Sequence, residues 1–413
     1  MATLRPFKAF RPKAEFASRV AAPPYDVLNS DEARTLVSGN PYSFLHVGKP
    51  EIDLPLGTNP YDPKVYAKGK ENLKKLITEK ILVEDAVPSL YVYAQTMEGR
   101  TQYGIVGCAS VEEYWNDTIK KHELTRKDKE EDRCNHVRVT NSHSGPIFLT
   151  YRDNERIDLV VKKTITGMPD NDHVASDGIQ HTTWVIRDRT DVEAIQKQFA
   201  AIANLYVADG HHRSAAAAIV GRERKESNLN HRGDEEYNFF LAVCFPSSQL
   251  RILDYNRVVK DLNGLTREQF FGKLKEKFSI DAVNRQVKPA RKGEFGLYLD
   301  GAWYRMQAAI DLLKNQDPVA RLDVSILQTH VLESILGIAD IRTDKRIDFV
   351  GGIRGLGELE SRVNSGEMKL AVSMFPTSLD ELMSIADAGK IMPPKSTWFE
   401  PKLRDGLFVH FLT

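Results

Sequence analysis

The sequence has few of the features that mark a zinc ribbon, a secreted protein or a membrane protein. It contains 413 residues but only 3 cysteines, which lie far apart and form no CxxC pair. Neither a zinc ribbon nor a disulfide framework is therefore indicated, and a reducing compartment is favoured. No stretch approaches the roughly 20 apolar residues that cross a bilayer, and the first residues lack the apolar core of a signal peptide. We expect a cytoplasmic protein without a membrane partner.

The sequence also has no net charge. Lys plus Arg and Asp plus Glu both number 57, so the formal charge is zero. This balance argues against nucleic acid as the main partner and leaves a small-molecule substrate and a nucleotide as the expected ones. Apolar residues make up 41% and charged residues 28%, as in folded globular proteins. The sequence leaves the oligomeric state open, a homo-oligomer included.

Helix-like and strand-like patterns alternate along the chain and predict an α+β (mixed α/β) fold. We assign residues 1–245 to an α/β domain and residues 246–413 to a second α+β domain. Short stretches rich in β-formers predict strands, namely GPIFLTY, IDLVVKKT and HTTWVIRD. NLYVA predicts a further strand, and SAAAAIVGRER predicts a helix directly after it.

The stretch DGHHR connects this last strand to this last helix. Gly210 falls in the turn, and His211, His212 and Arg213 fall in the first helical turn, where unpaired backbone N–H groups bind anions. Arg213 can hold two phosphate oxygens, and each imidazole can donate a hydrogen bond to an oxyanion. Asp209 repels phosphate unless a cation lies between them, which predicts Mg²⁺ at this carboxylate. A phosphate-binding turn thus accounts for all five residues.

Two other interpretations of the stretch stay open. In a zinc site, two adjacent histidines point in diverging directions, and no third ligand has a recognisable spacing. In an ordinary polar turn, Asp209 caps the helix and the histidines are merely exposed. The second interpretation leaves the grouping of three cationic or donor side chains without a reason.

The strongly charged stretch KKHELTRKDKEEDR supplies the candidate base. A solvated helix is the usual structure of such a run. A hydroxyl that attacks phosphorus needs a carboxylate to accept its proton, and Glu123 is our first choice for it. With Asp209, His211 and His212 it completes the predicted catalytic set. His122 is a predicted substrate-binding residue and Arg126 a predicted phosphate-binding residue.

Further candidates come from three other segments, each with a structural alternative. In ASRVAAPPYDVL, Arg19 is predicted to bind phosphate and Tyr25 to bind substrate, although the double proline alone explains a rigid turn. Asn141 and Ser142 precede a strand and are predicted to bind substrate, although an ordinary loop has the same composition. Lys395 lies in a basic C-terminal loop that is predicted to bind phosphates, or else to pack.

The DGHHR run resembles the ParB/sulfiredoxin superfamily, in which such a run binds nucleotide or pyrophosphate oxygens. The whole chain resembles a bacterial family known as domain of unknown function 1015. The stretches that carry this resemblance include RPFKAFRP, ASRVAAPPYDVL, NPYSFLHVGKPEIDLP, ADGHHRSAA, RIDFVGG and PPKSTWFEPKLRDGL. The resemblance implies a ParB/sulfiredoxin-like core, kinship with free-serine kinases and an association with serine biosynthesis.

Taken together, these features predict a phosphotransferase for a small hydroxyl metabolite. The resemblance implies L-serine or O-phosphoserine as the metabolite. We expect ADP/ATP or pyrophosphate as phosphate partner and, from Asp209, Mg²⁺ as cofactor. The alternatives are a nucleotide-binding or nucleotide-hydrolysing switch of the ParB type, and a metal-dependent phosphatase or nuclease.

Overall fold

The protein, described by a computed structural model of residues 1–413, has a mixed α+β fold, which confirms the predicted fold class. It forms two compact units. The first comprises Met1–Lys121, Thr125–Leu250 and Pro401–Thr413, and the second comprises His122–Leu124 and Arg251–Glu400. The two domains predicted from the sequence, residues 1–245 and 246–413, stay a prediction.

Strands and helices alternate throughout the chain. The strands are β1 (Leu4–Arg5), β2 (Phe10–Pro12), β3 (Leu82–Glu84), β4 (Leu90–Met97), β5 (Arg100–Ser110), β6 (Ile119–Lys120), β7 (Ser142–His143), β8 (Ile147–Tyr151), β9 (Asn171–Val174), β10 (Gln180–Ile186), β11 (Leu205–Asp209), β12 (Phe239–Pro246), β13 (Ile252–Leu253), β14 (Tyr255–Val259), β15 (Phe278–Val283), β16 (Glu294–Leu299), β17 (Ala302–Ala308), β18 (Ile347–Gly351), β19 (Leu370–Ser373), β20 (Trp398–Phe399) and β21 (His410–Phe411). The helices are α1 (Ala17–Val20), α2 (Ser30–Leu36), α3 (Leu45–Gly48), α4 (Pro63–Thr78), α5 (Val111–Trp115), α6 (Lys127–Thr140), α7 (Glu155–Thr164), α8 (Arg189–Phe199), α9 (His211–Ser227), α10 (Arg267–Leu274), α11 (Ile310–Leu313), α12 (Asp323–Leu327), α13 (Gly355–Asn364) and α14 (Leu379–Asp387). None of these helices combines the length and the apolar character that a membrane crossing requires.

The first unit is organised around a 9-stranded sheet with the strand order β6-β11-β8-β12-β5-β4-β10-β9, and β1 pairs additionally with β5. The pairs β11–β6 and β12–β8 are parallel, and the others are antiparallel. Strand β12 is apolar along nearly its whole length because both of its faces are covered. Short pairs β2–β3 and β7–β21 complete this unit.

Strand β11 carries an irregularity directly before the DGHHR turn. Its pairing with β8 shifts register between Val207 and Asp209, which is a β-bulge. Bulges bend a strand and redirect its side chains, and they are common beside functional sites. Gly210 follows with a φ of +90°, and helix α9 starts at His211. The predicted order of strand, turn and helix is confirmed.

The predicted strand IDLVVKKT is wrong, because residues Glu155–Thr164 form helix α7. The Asn154 side chain accepts hydrogen bonds from the N–H groups of Arg156 and Ile157, which caps the helix. Ile157 and Val161, four positions apart, are both buried. In a strand Leu159 would share the face of Ile157 and Val161, yet Leu159 is exposed. The helical period fits this burial, and packing overrides the β-propensity of the β-branched residues.

The second unit contains a six-stranded antiparallel sheet with the order β15-β17-β16-β19-β14-β18, together with the pair β13–β20. Strands β16 and β17 form a hairpin, and α10 begins with a capping box formed by Thr266 and Gln269. Helix α12 is followed by a π-helical turn at Gln328–Glu333.

The cap of α7 gives a stability prediction. Asn154→Ala removes the acceptor of two backbone N–H groups, and we expect it to lower the free energy of unfolding by about 1 kcal/mol. Urea denaturation followed by tryptophan fluorescence measures the change. Asn154→Asp keeps the acceptor and serves as the matched control. An Ala variant as stable as the Asp variant would contradict the capped helix.

Candidate functional site

The DGHHR turn presents an uncapped helix N-terminus. Gly210 adopts the left-handed conformation at the N-cap, and no side chain caps α9. Within the backbone, Ser214 N donates to Gly210 O, so the helical ladder begins there. The earlier N–H groups of a helix have no acceptor inside the helix, and their aligned dipoles favour an anion. This end of α9 therefore offers hydrogen-bond donors to a phosphate.

Asp209 is held by donors from two directions. Lys402 Nζ lies 2.7 Å from Asp209 Oδ2, and Gly210 N donates to Oδ1 at 2.8 Å. Burial favours the protonated carboxyl, but the attraction of Lys402 and these hydrogen bonds outweigh it and lower the pKa of Asp209. The carboxylate is thus ionised, and an ammonium group lies beside the position where sequence analysis expected Mg²⁺.

Both histidines of the turn are neutral at pH 7. Burial lowers the pKa of His211 to about 4, and burial also lowers the pKa of His212. His212 Nε2 accepts a hydrogen bond from the Arg126 backbone N–H at 3.1 Å. Because Nε2 accepts, the ring proton of neutral His212 resides on Nδ1. The histidines therefore supply donors and acceptors, whereas the positive charge comes from Lys402 and Arg213.

Arg213 forms a two-pronged ion pair with Asp405. Its Nη1 and Nη2 lie 2.8 Å from Asp405 Oδ1 and Oδ2, and the Asp405 side chain is buried while that of Arg213 is 15% exposed. Burial opposes the charge on Arg213, yet Asp405 outweighs it and raises the pKa of the guanidinium. Gly145 makes room for this pair, since a Cβ there would overlap Arg213 Nη1 and Asp405 Oδ1. Arg213 was predicted to bind two oxygens of a phosphate, and in the structure it binds the two carboxylate oxygens of Asp405.

The double-proline segment reaches the same place through its backbone. Ala22 and Asp405 form an antiparallel bridge with hydrogen bonds of 3.1 and 2.9 Å. Tyr25 follows and is buried between two guanidinium groups, with Arg133 at 3.8 Å and Arg213 at 5.3 Å from the ring centroid. Such cation–π contacts fix the ring and the arginines relative to one another.

A cleft of about 420 Å³ lies at the turn, and we call it the turn cavity. It has three carboxylates and two cations in its wall, and the remaining lining is proline, glycine and apolar side chains. The residues are Pro24, Asp26, Val27, Pro146, Phe148, Asp209, Gly210, Arg213, Lys402, Leu403 and Asp405. A cleft of this kind can bind a phosphate together with a divalent cation, since the carboxylates offer oxygen ligands and the cations offer donors.

Comparison with known sequences places the chain in a family. A family model described as "Protein of unknown function (DUF1015)" matches residues 4–325. The chain belongs to the DUF1015 family. No curated protein matches it.

Solved structures resemble this DUF1015 member only distantly. A C-terminally truncated SbnI from Staphylococcus aureus shares 11% identity over 74% of this chain and 87% of that chain, with a TM-score of 0.40. A free serine kinase in complex with AMP shares 13% identity over 74% and 91%, with a TM-score of 0.37. A conserved hypothetical protein from Pyrococcus furiosus shares 14% identity over 75% and 97%, with a TM-score of 0.35.

Several predicted residues of the first unit lie outside the wall of the turn cavity. The Arg19 guanidinium covers the Tyr42 ring at 4.4 Å. The exposed Arg126 side chain pairs with Asp128, and only its backbone N–H contacts the turn, through His212.

Asn141 and Ser142 have contacts with the end of the chain. Asn141 takes the left-handed conformation after α6, and its Nδ2 donates to Thr413 Oγ1 at 2.9 Å. Ser142 is fully buried and pairs with Phe411 between β7 and β21. These contacts hold the last strand of the first unit, and the predicted substrate-binding role of both residues stays a prediction.

Three predicted residues belong to the second unit. His122 is buried there, with its backbone O accepting from Met392 N at 2.8 Å and its Nε2 3.4 Å from Thr397 Oγ1. Glu123 follows it in the short segment His122–Leu124. Lys395 has a φ of +59°, and its backbone O accepts from the buried Arg257 at 3.0 Å. Their roles stay predictions.

Sequence reasoning missed the partners that the turn finds far along the chain. Lys402 and Asp405 follow the turn by almost two hundred positions, and Gly145 precedes it by more than sixty. The signal was present in the stretch PKLRDGL, which we took as a basic loop. A carboxylate that follows two basic residues, in a segment that resembles the family, was the clue to an ion pair.

The ion pair gives a stability prediction for this DUF1015 member. Asp405→Asn leaves the buried Arg213 guanidinium without its counter-charge, and we expect the free energy of unfolding to fall by about 3 kcal/mol. Urea denaturation measures the loss. Arg213→Met combined with Asp405→Leu removes both charges and should recover part of the stability. A double variant with a lower free energy of unfolding than Asp405→Asn would contradict this explanation.

Buried neutral histidines predict acid sensitivity. Burial lowers the pKa values of His136 and His211 to about 4, while both have a pKa near 6.5 in the unfolded chain. The unfolded state therefore binds more protons between pH 6.5 and 4, so stability falls as the pH falls through this window. At pH 5 the loss is about 2 kcal/mol per histidine.

Urea denaturation from pH 7 to pH 4.5 tests this expectation. His136→Gln should show a shallower fall in unfolding free energy than the wild type, whatever its stability at pH 7. An unchanged slope in the variant would show that His136 does not contribute.

Proposed function

We propose that the protein is a phosphotransferase that acts on a small hydroxyl metabolite, L-serine or O-phosphoserine, with ADP/ATP or pyrophosphate as phosphate partner. The observation that carries the proposal is the uncapped start of α9 in a cleft that also contains Lys402 and Arg213. The serine class follows from the resemblance of the DGHHR run to ParB/sulfiredoxin proteins with a free-serine kinase branch. A ParB/sulfiredoxin-like core is part of the proposal.

Phosphoryl transfer makes demands that this cleft can meet. The reaction needs positioned donors for non-bridging oxygens and balancing positive charge, and it needs little covalent chemistry from the protein. The N–H groups of His211, His212 and Arg213 would bind oxygens of the phosphate at the start of α9. Lys402 Nζ, 2.7 Å from Asp209, is the mobile cation that would turn towards the phosphate.

The donor set of the cleft fits Mg²⁺. Three carboxylates, Asp26, Asp209 and Asp405, line it, and Mg²⁺ is commonly held by one or two carboxylates with phosphate oxygens and waters. Asp209 is ionised and each of its oxygens keeps a lone pair beyond its present hydrogen bond, so it stays the proposed ligand. Asp26, in the wall of the same cavity, is a second proposed ligand. When bound, the ion would neutralise phosphate charge among these carboxylates.

Proton transfer and hydrogen bonding to the substrate are assigned to Glu123 and to the two histidines of the turn. Glu123 is the proposed base for the attacking hydroxyl. His211, with its pKa lowered to about 4 by burial, is unprotonated and would accept or donate a hydrogen bond rather than supply charge. His212, with its ring proton on Nδ1, is suited to donate a hydrogen bond to an oxygen.

The proposal is tested with the purified protein and Mg²⁺. O-phosphoserine is incubated with ADP, pyrophosphate or water, and L-serine with ATP, and products are identified by mass spectrometry. Phosphoryl transfer in either direction supports the proposal. Release of inorganic phosphate with water alone favours a phosphatase, and nucleotide binding without turnover favours a switch. No turnover together with no nucleotide-induced thermal shift would overturn it.

A charge variant connects this activity with the turn cavity. Lys402→Gln removes the ammonium that balances phosphate charge, and we expect kcat/KM for the phosphate donor to fall roughly 100-fold. Lys390→Gln, which removes an equivalent charge paired with Asp317 in the second unit, is the matched control. Equal activity of the two variants would show that the reaction does not take place in the turn cavity.

A further inference from the structure

A second cleft of about 430 Å³ shares Arg213 and Asp405 with the turn cavity, and we call it the histidine cavity. Its wall holds two arginines, two histidines, a carboxylate and a small polar or glycine segment. The residues that matter are Arg133, His136, His143, Gly145, Arg213 and Asp405. The wall brings guanidinium donors, a carboxylate and histidine nitrogens together, which suits a ligand that carries both donor and acceptor groups.

His143 has one edge of its ring in a buried chain of hydrogen bonds. Its Nδ1 lies 3.2 Å from His410 Nδ1, and His410 Nε2 lies 2.8 Å from Glu236 Oε2. The two rings stack with centroids 5.5 Å apart. The other edge carries Nε2, which is buried and has no hydrogen-bond partner. A buried polar atom without a partner is uncommon in folded proteins and calls for an explanation, and here it belongs to a residue that lines the cavity.

The hydrogen bonds from His143 through His410 to Glu236 determine which nitrogen of each ring holds the proton. Burial opposes ionisation of Glu236, but His410 outweighs it and lowers the pKa of the carboxyl, so the carboxylate accepts from His410 Nε2–H. Burial lowers the pKa values of His410 and His143, so both rings are neutral. His410 Nδ1 must then accept from His143 Nδ1–H. His143 Nε2 is consequently an acceptor without a donor.

Arg133 supplies hydrogen-bond donors and positive charge in the wall of the same cavity. Its Nε and Nη2 donate to Asp132 Oδ2 at 3.0 and 2.7 Å, whereas its Nη1 donates to no group of the protein. Its side chain is 12% exposed and its guanidinium is stacked on Tyr25. The group is therefore fixed in place with donor capacity left for an anion.

We propose that the histidine cavity binds a small zwitterionic α-amino acid, whose carboxylate accepts from Arg133 and whose ammonium donates to His143 Nε2. Asp405, paired with Arg213, also lines the cavity. A ligand with only a negative charge would leave the acceptor His143 Nε2 unsatisfied, and a ligand with only a positive charge would face two arginines. The inference deepens the proposed function and rests on it only where it takes this ligand as the phosphoryl acceptor or product.

The residues that line the histidine cavity and those that support His143 have different roles in this proposal. His143 and Arg133 contact the ligand. His410 and Glu236 are positioning residues, because they hold His143 in the tautomer that has its lone pair on Nε2. Such an arrangement resembles the way in which second partners orient a ring nitrogen in other histidine sites.

Isothermal titration calorimetry of the full chain without nucleotide or metal tests the ligand class. L-serine is compared with ethanolamine, which lacks the carboxylate, and with N-acetyl-L-serine, which lacks the ammonium. We expect L-serine to bind and each analogue to bind at least about 10-fold more weakly, since each forfeits one charge-assisted contact. Equal binding of either analogue, or no binding of L-serine, would overturn the proposal. This wild-type series does not depend on any variant folding.

Variants then assign the contact. His143→Leu should weaken L-serine binding at least about 10-fold, while His330→Leu in the second unit should leave it unchanged. His410→Leu should weaken binding through the lost tautomer, and His410→Gln, whose amide oxygen can accept from His143 Nδ1–H, should restore part of it. Equal affinity of His143→Leu and wild type, or no rescue by His410→Gln, would contradict the assignment.

These outcomes are separable from those of the transfer assay. Binding of L-serine that depends on His143, with no turnover in any direction, would keep the histidine cavity and sink the phosphotransferase. Turnover with an unchanged KM for the amino acid in His143→Leu would keep the phosphotransferase and sink the histidine cavity.

Discussion

The site depends on the ion pair between Arg213 and Asp405. Two hydrogen bonds of 2.8 Å join the first turn of α9 to the segment Pro401–Thr413 of the same unit. The backbone of Asp405 also holds Ala22, which leads into the double proline and Tyr25. Gly145 is required there because no side chain fits beside the pair. Three distant stretches of sequence therefore converge on one guanidinium, and both clefts are formed around it.

Burial determines how charge is distributed around this pair. It keeps the histidines of the turn neutral, so that Lys402 and Arg213 carry the positive charge and each already faces a carboxylate. A phosphate that enters must compete with Asp209 and Asp405 for these cations. The start of α9 has no side-chain cap and offers backbone donors, and a divalent cation would balance the carboxylates. The same burial leaves His143 neutral, which lets it act as an acceptor.

Local sequence patterns predicted the local structure of the site, while its partners required the tertiary fold. The order NLYVA, Gly210 and SAAAAIV predicted strand, turn and helix because periodicity and glycine act over a few residues. The bulge at β11 had no local signal, and IDLVVKKT misled because Asn154 and the burial of Ile157 and Val161 decide that segment. The contacts of Lys402 with Asp209, and of His143 with His410, join residues hundreds of positions apart. Neither contact has a local signal in the sequence.

The central claim is that the start of α9 binds phosphate. A crystal structure of the protein grown with Mg²⁺ and pyrophosphate tests it most directly. The account predicts phosphate oxygens that accept hydrogen bonds from the backbone N–H groups of His211, His212 and Arg213, with Lys402 Nζ moved from Asp209 towards the phosphate. Pyrophosphate bound elsewhere, with the turn and the Lys402–Asp209 contact unchanged, would contradict it.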